Sequence, residues 1–342
     1  MLTLQRFIAK KGHMITQLRL QNWKSFKDSL IYIDPLTFLI GTNASGKSNV
    51  LDAFDFLQRL FSPHYSLDDA IGSIRGGRDW IVRKGEKNFL LEVTIEEEGV
   101  THTISVGAER TENGFVYSVK PDMRKKVNNQ IRNIFILNPT PESMRGYSPL
   151  SAELKPDGSN IAGVIAAMPK EDKVRLEDTL TKYIRPLPEK DIKRIEAVTV
   201  GLTNQDAMLY CYEEWNPDQP VDARGMSDGT LRFAAIIVAL LTIKRGSLLI
   251  IEEVDNGLHP SRAKELVKVL KEISKERNVD VLCTTHNPVL IDELGNEIIP
   301  FISFVKRDKE GNSYIGLLEE KDHLAKLMAS GTIGDMIKND EL

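Results

Sequence analysis

The chain has 342 residues, of which 41% are apolar and 27% are charged. This composition is typical of a folded protein with a sizeable core, divided into one large domain or two ordinary ones. The net charge of −4 gives no overall attraction for nucleic acid or anionic membranes, so contact with a polyanion would need a local basic patch. Cys211 and Cys283 lie far apart without metal or redox spacing, which predicts two reduced thiols.

Neither a membrane span nor a secretion signal is present in the sequence. No apolar run approaches the roughly 18 residues that a spanning helix requires, so we expect no membrane contact. The opening MLTLQRFIAKKGH lacks the apolar core and the cleavage site of a signal peptide, which predicts a cytoplasmic protein. Regular patterning begins only after Met14, so the preceding leader is either disordered or, if translation starts at Met14, absent.

The first predicted elements are two strands joined by a polar turn, over ITQLRLQNWKSFKDSLIYI. The apolar run LTFLIG then predicts a buried strand that leads directly into a glycine-rich loop. Behind this loop, Val50, Phe54, Leu57 and Phe61 recur at helical spacing. Residues 89–120 alternate between apolar and polar, which predicts antiparallel hairpins.

The rest of the chain alternates between predicted helices and strands. Residues 139–194 hold seven of the chain's 15 prolines and have mixed helical patterning, which predicts an inserted helical element. IEAVTV and AMLYCYEE predict a hairpin, LRFAAIIVALLTI a buried helix, and SLLIIEE and DVLCTTH buried strands with an amphipathic helix between them. We therefore predict an α/β fold with a mostly parallel, helix-covered sheet, an antiparallel β subdomain and a helical insertion.

The glycine-rich loop, Gly41–Ser48, fits the pattern G-x-x-x-x-G-K-[ST] at every fixed position. Backbone N–H groups in such a loop, and the positive end of the following helix, bind phosphate oxygens. Lys47 is expected to reach the β and γ phosphates of ATP, and the Ser48 hydroxyl to ligate Mg²⁺. The further nucleotide contacts predicted here are Asn43, Gly46 and Asn49.

Two consecutive carboxylates, Glu252 and Glu253, follow the buried strand LLII. Ligands of α/β sheets bind at the carboxyl ends of the strands. One carboxylate can hold the magnesium, and the next can polarise the water that attacks the γ-phosphate. We assign Glu252 to the metal and Glu253 to the water.

With these motifs, the chain resembles the RecF/SMC-like branch of ABC-type ATPases over nearly its whole length. The opening ITQLRLQNWKSF is similar to the family's first strand and turn, with Trp23 where phenylalanine is usual. Met226–Thr230 resembles the family signature, Asp255 stands at the D-loop position, and His286 closes a buried strand as the switch histidine does. LKPDGSNIAGVI is similar to a segment of the compact, defence-associated AAA members.

Two features depart from the family pattern. The first Walker B carboxylate is Glu252 rather than the usual aspartate, which gives a longer arm toward the metal. The sequence also has no clear Q-loop glutamine, and Asn138 stands at the end of the corresponding strand. No residue is therefore assigned to the role that the Q-loop glutamine has in sensing the metal.

The resemblance implies a homodimer that closes on ATP, in which Ser227 and Gly229 of one copy cap the γ-phosphate bound by the other. His286 is implied to contact the γ-phosphate side of its own copy's nucleotide. The resemblance also implies three parts: 14–138 as a first lobe with Walker A and the antiparallel subdomain, 139–194 as the helical insertion, and 195–342 as a second lobe with signature, Walker B, D-loop and switch histidine.

Compact relatives act in anti-phage defence, beside a separately encoded nuclease-like effector, and in DNA repair, where a RecF-like clamp is the alternative. No second acidic cluster or Cys/His knuckle indicates a nuclease within this chain, which favours defence. DNA contact would fall on two basic clusters. These are Arg75, Arg78, Arg83, Lys84 and Lys87, and the run 124–126.

A remote alternative is an α/β-hydrolase. Gly225–Gly229 matches G-x-S-x-G, and Asp255 and His286 follow in the order of a serine, acid and histidine triad. A nucleophile elbow, however, needs a buried strand directly before the serine. The preceding NPDQPVDAR is polar and carries two prolines, which opposes this interpretation.

Overall fold

A computed structural model describes residues 14–97, 99–112, 114–120, 128–186, 192–293, 295–321, 324 and 332–338. The chain divides into two compact units. Unit 1 holds the described residues up to Ile134, then Gly246–Glu252, and those from Asp280 onwards. Unit 2 holds Phe135–Arg245 and Glu253–Val279.

The strands are β1 Met14–Trp23, β2 Phe26–Tyr32, β3 Leu36–Ile40, β4 Asn88–Glu97, β5 Val100–Thr111, β6 Gly114–Lys120, β7 Ile134–Leu137, β8 Ser148–Pro149, β9 Ile192–Val200, β10 Asp206–Glu213, β11 Val221–Asp222, β12 Leu248–Ile251, β13 Asp280–Thr285, β14 Ile302–Arg307 and β15 Ser313–Leu317. The α-helices are α1 Lys47–Leu60, α2 Leu67–Gly72, α3 Gly77–Trp80, α4 Asn128–Arg132, α5 Pro141–Met144, α6 Ile161–Ala166, α7 Lys170–Ile184, α8 Asp228–Thr242, α9 Ala263–Arg277, α10 Pro288–Glu293 and α11 Ile333–Lys338. Short 3-10 helices cover Ala223–Gly225, Pro260–Arg262, Asn296–Phe301 and Leu318–Glu320.

In unit 1, strands form a sheet in the order β6-β5-β4-β1-β2-β15-β14-β3-β13-β12. Strands β12, β13, β3 and β14 pair in parallel, and every residue of β3, β12 and β13 is buried, as expected for core strands covered on both faces. Strands β2, β1, β4, β5 and β6 pair antiparallel. The predicted α/β class and its antiparallel subdomain are confirmed. Parallel pairing covers the core strands and a short contact between β15 and β2, so the whole sheet is mixed.

Unit 2 combines the predicted hairpin with a group of helices. Strand β10 pairs antiparallel with β9, β11 and β8. Helix α8 is buried along most of its length, whereas α9 is amphipathic and buries Leu266, Val267, Leu270 and Ile273. The segment 139–194 contains α5, α6 and α7, as its helical patterning indicates, and also the short strand β8.

Gly163 of α6 lies against the backbone of β8. A Cβ atom at this position would lie 2.0 Å from the carbonyl oxygen of Pro149. The Gly163 N–H also donates to the Ser148 hydroxyl at 2.9 Å. The close approach of the two backbones therefore requires glycine.

Replacing Gly163 by alanine is expected to destabilise the protein by roughly 1–3 kcal/mol, because the backbone of β8 must shift to admit the methyl group. Urea unfolding measures the loss. Gly146→Ala is the matched control, since nothing lies within 4 Å of a Cβ atom there. Equal stability of the two variants would contradict the packing described for α6.

Three simpler expectations concern the thiols, the membrane and the leader. Cys211 and Cys283 are both buried and are not joined in a disulfide, as predicted. No helix among the described residues is long and apolar enough to cross a membrane. The leader before Met14 lies outside the described residues.

Candidate functional site

The loop Gly41–Ser48 joins β3 to α1 in unit 1, as its motif predicts. Gly46, at the start of α1, has a φ of 122°, and a Cβ atom there would lie 2.5 Å from the Ser313 hydroxyl. At Gly41 a Cβ atom would lie 2.5 Å from the carbonyl oxygen of Val305. The loop is therefore held tightly against β14 and β15, so its glycines allow close packing as well as an unusual backbone.

Lys47 is buried and folded back onto this loop. Its ammonium group donates to the carbonyl oxygens of Gly41 at 2.7 Å and Thr42 at 2.9 Å. A buried cation needs such partners, because losing its hydration is costly. The ammonium group is thus already placed beside the loop that is predicted to hold the phosphates.

The ends of three core strands meet at one edge of the sheet. Ile251 pairs with Cys283, and Thr285 pairs with Ile40. This register brings the residues that directly follow the strands, namely Glu252, His286 and Gly41, to the same edge. His286 is exposed there.

Ser48 and Glu252 are in direct contact at this edge. The Ser48 hydroxyl donates to Glu252 Oε1 at 2.7 Å. The longer arm of the glutamate therefore still reaches the serine, although the family usually has an aspartate at this position. A hydroxyl and a carboxylate are the hard oxygen ligands that Mg²⁺ prefers, so the pair fits the predicted metal.

The predicted contact residues Asn49 and Asn43 differ in their surroundings. The side chain of Asn49 donates to the Ser25 hydroxyl at 2.8 Å, and its carbonyl oxygen accepts from the Trp23 indole at 2.7 Å. Asn49 thereby ties the turn between β1 and β2 to the first turn of α1. Asn43 is exposed at the tip of the loop.

An ion network adjoins the Ser48–Glu252 pair. Asp52, one turn after Ser48 on α1, binds Lys24 at 2.5 Å and Arg75 at 2.8 Å. Arg75 also binds Glu252 Oε1 at 3.0 Å. Burial lowers the pKa of Lys24 despite its pairing with Asp52. Burial alone would also lower the pKa of Arg75, but the carboxylates of Asp52 and Glu252 outweigh it and raise that pKa.

Arg75 belongs to the basic cluster that is predicted to contact DNA, whereas no sequence pattern singles out Lys24 or Asp52. Two other members of the cluster also have protein partners: Arg78 binds Asp68 at 2.9 Å, and Arg83 binds the Asn312 side chain at 2.6 Å. DNA contact by this cluster stays a prediction. The second cluster, residues 124–126, lies outside the described residues.

Ser227 lies in unit 2 as the N-cap of α8. Its hydroxyl accepts from the Thr230 N–H at 3.1 Å, and its backbone has the ordinary extended angles φ −68° and ψ 151°. It follows a 3-10 turn, Ala223–Gly225, rather than a buried strand. A nucleophile elbow needs a strained turn directly after such a strand. The α/β-hydrolase alternative is therefore wrong.

Gly229, in the first turn of α8, is surrounded by the segment that follows Asp255. A Cβ atom on Gly229 would lie 2.6 Å from Arg262 Nη1 and 3.0 Å from the carbonyl oxygen of Gly257. The guanidinium of Arg262 is buried and also donates to the Thr230 hydroxyl at 3.4 Å. Unit 2 thus brings the signature and D-loop segments together. Arg262 has no motif of its own and was missed by the sequence analysis.

Glu253 begins a tight turn that contains Asp255. It has a φ of 47°, which is unusual for a residue other than glycine. The Asn256 N–H donates to the Glu253 carbonyl at 2.8 Å, and the Leu258 N–H donates to that of Asp255 at 3.0 Å. Strained backbone of this kind clusters at functional sites.

Comparisons with solved structures agree with this fold. The SMC head domain from Thermotoga maritima has a TM-score of 0.54 and 18% identity, covering 89% of this chain and 98% of that chain. An Smc head domain bound to the C-terminal domain of ScpA, derived from Pyrococcus furiosus, has a TM-score of 0.60 and 14% identity. The match covers 93% of this chain and 99% of that chain. The fold is therefore that of an SMC-type ATPase head.

Curated relatives share a shorter stretch. The DNA replication and repair protein RecF of Chlamydia abortus is 31% identical over 99 residues, which is 28% of this chain and 24% of that protein. RecF of Thermosynechococcus vestitus is 30% identical over 93 residues, which is 27% of this chain and 22% of that protein. The matched stretch thus spans about a quarter of the length of these relatives.

These likenesses place the fold in the RecF/SMC group of ABC-type ATPases. Residues 36–292 match the model of the family described as "AAA domain, putative AbiEii toxin, Type IV TA system". The chain belongs to this family.

Proposed function

We propose that the chain binds ATP with Mg²⁺ and hydrolyses it as a cytoplasmic homodimer, and that closure of the dimer gates a separately encoded, nuclease-like effector in anti-phage defence. The observation that carries the ATPase proposal is the contact of Ser48 with Glu252 at 2.7 Å, beside the buried Lys47. These groups combine a cation for phosphates with two oxygens suited to a divalent metal.

The residues fit magnesium in particular. Ser48 and Glu252 offer two oxygens, and the described residues contain no group of three or more His, Cys, Asp or Glu side chains that could hold a metal by themselves. Mg²⁺ is usually held by one or two protein oxygens together with water and substrate phosphates. When bound, the ion neutralises charge on the β and γ phosphates.

The chain's own residues divide the remaining work. Backbone N–H groups of the loop, together with Asn43 and Asn49, orient the phosphates, and Lys47 exchanges its two carbonyl partners for phosphate oxygens. Glu253 takes the proton of the attacking water. His286, exposed at the same sheet edge as the loop, contacts the γ-phosphate side.

Each site is completed by the second copy. Ser227 is exposed at the N-terminus of α8, where unpaired N–H groups and the helix dipole favour an anion. Gly229 keeps this turn free of side-chain bulk. We infer that this surface of one protomer caps the γ-phosphate held by its partner, with Asp255 near the twofold axis.

Two names among the similar proteins bear on the biological role. The description of the matching family names a putative toxin of a type IV TA system, which favours a defence role. The RecF relatives are named for DNA replication and repair, which favours a RecF-like DNA clamp as the second candidate. Purification together with the products of neighbouring genes separates the two. A co-eluting nuclease-like protein supports defence, whereas binding to DNA alone supports the clamp.

Replacing Lys47 by alanine is expected to weaken ATP binding by about 100-fold, because it removes a buried cation that faces the phosphates. Fluorescent ATP titration measures the loss. Lys27→Ala, at an exposed position on β2, is the control and should bind ATP as the parent does. Unchanged ATP affinity in Lys47→Ala would refute the assignment of this loop to the nucleotide.

A further inference from the structure

We propose that Arg75 acts as an exchangeable counter-ion for Glu252, holding its carboxylate until magnesium arrives with ATP, and so couples nucleotide binding to the metal. This inference rests on the proposed ATP and Mg²⁺ site. It adds a positioning residue that no motif of the chain indicates.

The guanidinium of Arg75 makes three directed contacts around the predicted metal position. Nε binds Asp52 Oδ1 at 2.8 Å, Nη1 binds Glu252 Oε1 at 3.0 Å, and Nη2 donates to the Ser48 carbonyl oxygen at 3.1 Å. The planar fork of arginine suits such a multiple contact, and lysine cannot reproduce it. Arg75 therefore joins the first turn of α1 to the residue that ends β12.

One end of this arrangement is fixed and the other is exchangeable. The side chains of Asp52 and Lys24 are only 6% and 8% exposed, and Lys24 also donates to the Arg75 carbonyl oxygen at 2.6 Å. Asp52 thus holds the Nε atom of Arg75, and Lys24 holds its backbone carbonyl oxygen. Its own side chain is 54% exposed, and it lines an open cavity of about 1170 Å³ together with Ser48. Its outer nitrogens have room to leave Glu252 while Nε stays on Asp52.

The exchange follows from competition for a single oxygen. Glu252 Oε1 accepts both from the Ser48 hydroxyl and from Arg75 Nη1. A divalent cation bound at Ser48 and Glu252 would need the same carboxylate and would repel the guanidinium. Arg75 and the metal are thus alternative counter-ions. Without metal, Arg75 keeps Glu252 neutralised, so that the carboxylate repels incoming phosphates less.

The test compares ATP affinity with and without the metal. Fluorescent ATP is titrated in Mg²⁺ and in EDTA. The dissociation constant in EDTA divided by that in Mg²⁺ is the coupling ratio, which measures how strongly the metal supports ATP binding. In Arg75→Gln the affinity in EDTA should fall, because Glu252 is no longer neutralised. The affinity in Mg²⁺ should stay the same or rise, because no ion pair must be broken. We expect the coupling ratio to rise about tenfold, as for loss of a charged hydrogen bond.

Arg78→Gln is the matched control, because Arg78 has the same 54% exposure but binds Asp68 instead. Its coupling ratio should equal that of the parent. Arg75→Lys keeps the charge without the fork and should give an intermediate ratio, and it serves as the second test should Arg75→Gln fold poorly.

Two outcomes would overturn the proposal. If Arg75 only stabilises the fold, Arg75→Gln will unfold at a lower temperature and leave the coupling ratio unchanged. If Arg75 instead binds the phosphates, affinity will fall equally in Mg²⁺ and in EDTA. Failure of the proposed function is distinct, since the parental protein would then show no metal-dependent ATP binding at all.

Discussion

Replacing Glu253 by glutamine is expected to slow ATP hydrolysis by about 100-fold or more, within the range for loss of a general base. Glutamine keeps the shape of the side chain, and its oxygen can still accept from the Asn256 side chain, which lies 3.4 Å from Glu253 Oε2. ATP should therefore bind as tightly as before and remain uncleaved. Phosphate release under single-turnover conditions, measured beside ATP affinity, separates the two effects.

The control is Glu276→Gln, an exposed glutamate on α9 in the same unit. This variant should hydrolyse ATP at the parental rate. Parental activity in Glu253→Gln as well would refute the assignment of the base, and Glu252 or His286 would then have to be considered. Loss of ATP binding in Glu253→Gln would instead indicate that the turn at this residue had been disturbed.

Replacing Ser227 by arginine is expected to abolish hydrolysis while leaving ATP binding largely intact. Ser227 is exposed at the N-terminus of α8, so a bulky side chain there projects into the space proposed for the partner's γ-phosphate. Binding should survive, because the phosphate loop with Lys47 belongs to the other unit of the chain.

This substitution also removes a helix cap, which by itself costs about 1 kcal/mol of stability. Ser227→Ala loses the same cap without adding bulk and is therefore the control. We expect Ser227→Ala to keep measurable hydrolysis at matched stability, whereas Ser227→Arg should not. Equal hydrolysis in the two variants would argue that the first turn of α8 does not meet the partner's nucleotide.

Local patterns predicted those parts of the molecule that depend on neighbouring residues. The phosphate loop is a contiguous motif, and it joins the buried strand β3 to the helix α1 as its pattern predicts. Alternation over 89–120 correctly predicted the antiparallel strands β4, β5 and β6. Continuous apolar runs correctly predicted the buried strands β3, β12 and β13, because these patterns too depend only on neighbouring residues.

Contacts between distant parts of the chain left no such pattern. Arg75 lies 23 positions from Asp52 and 177 from Glu252, so no spacing rule connects them. The hairpin of β14 and β15 was not predicted, although it packs Val305 and Ser313 against the glycines of the loop. The division of the chain at 138/139 and 194/195 stays a prediction.

Mixing two inactive variants tests whether each ATP site is shared between two copies of the chain. Lys47→Ala damages the phosphate loop and Ser227→Arg damages the signature, so a heterodimer keeps one site in which both residues are intact. Different tags on the two co-expressed copies allow the heterodimer to be detected and isolated. If one intact site can act alone, random pairing should restore roughly a quarter of the parental activity. If the isolated heterodimer stays inactive, either both sites must act together or the signature does not act across the dimer. Parental ATPase activity that scales linearly with protein concentration where only monomer is detected would contradict the shared site.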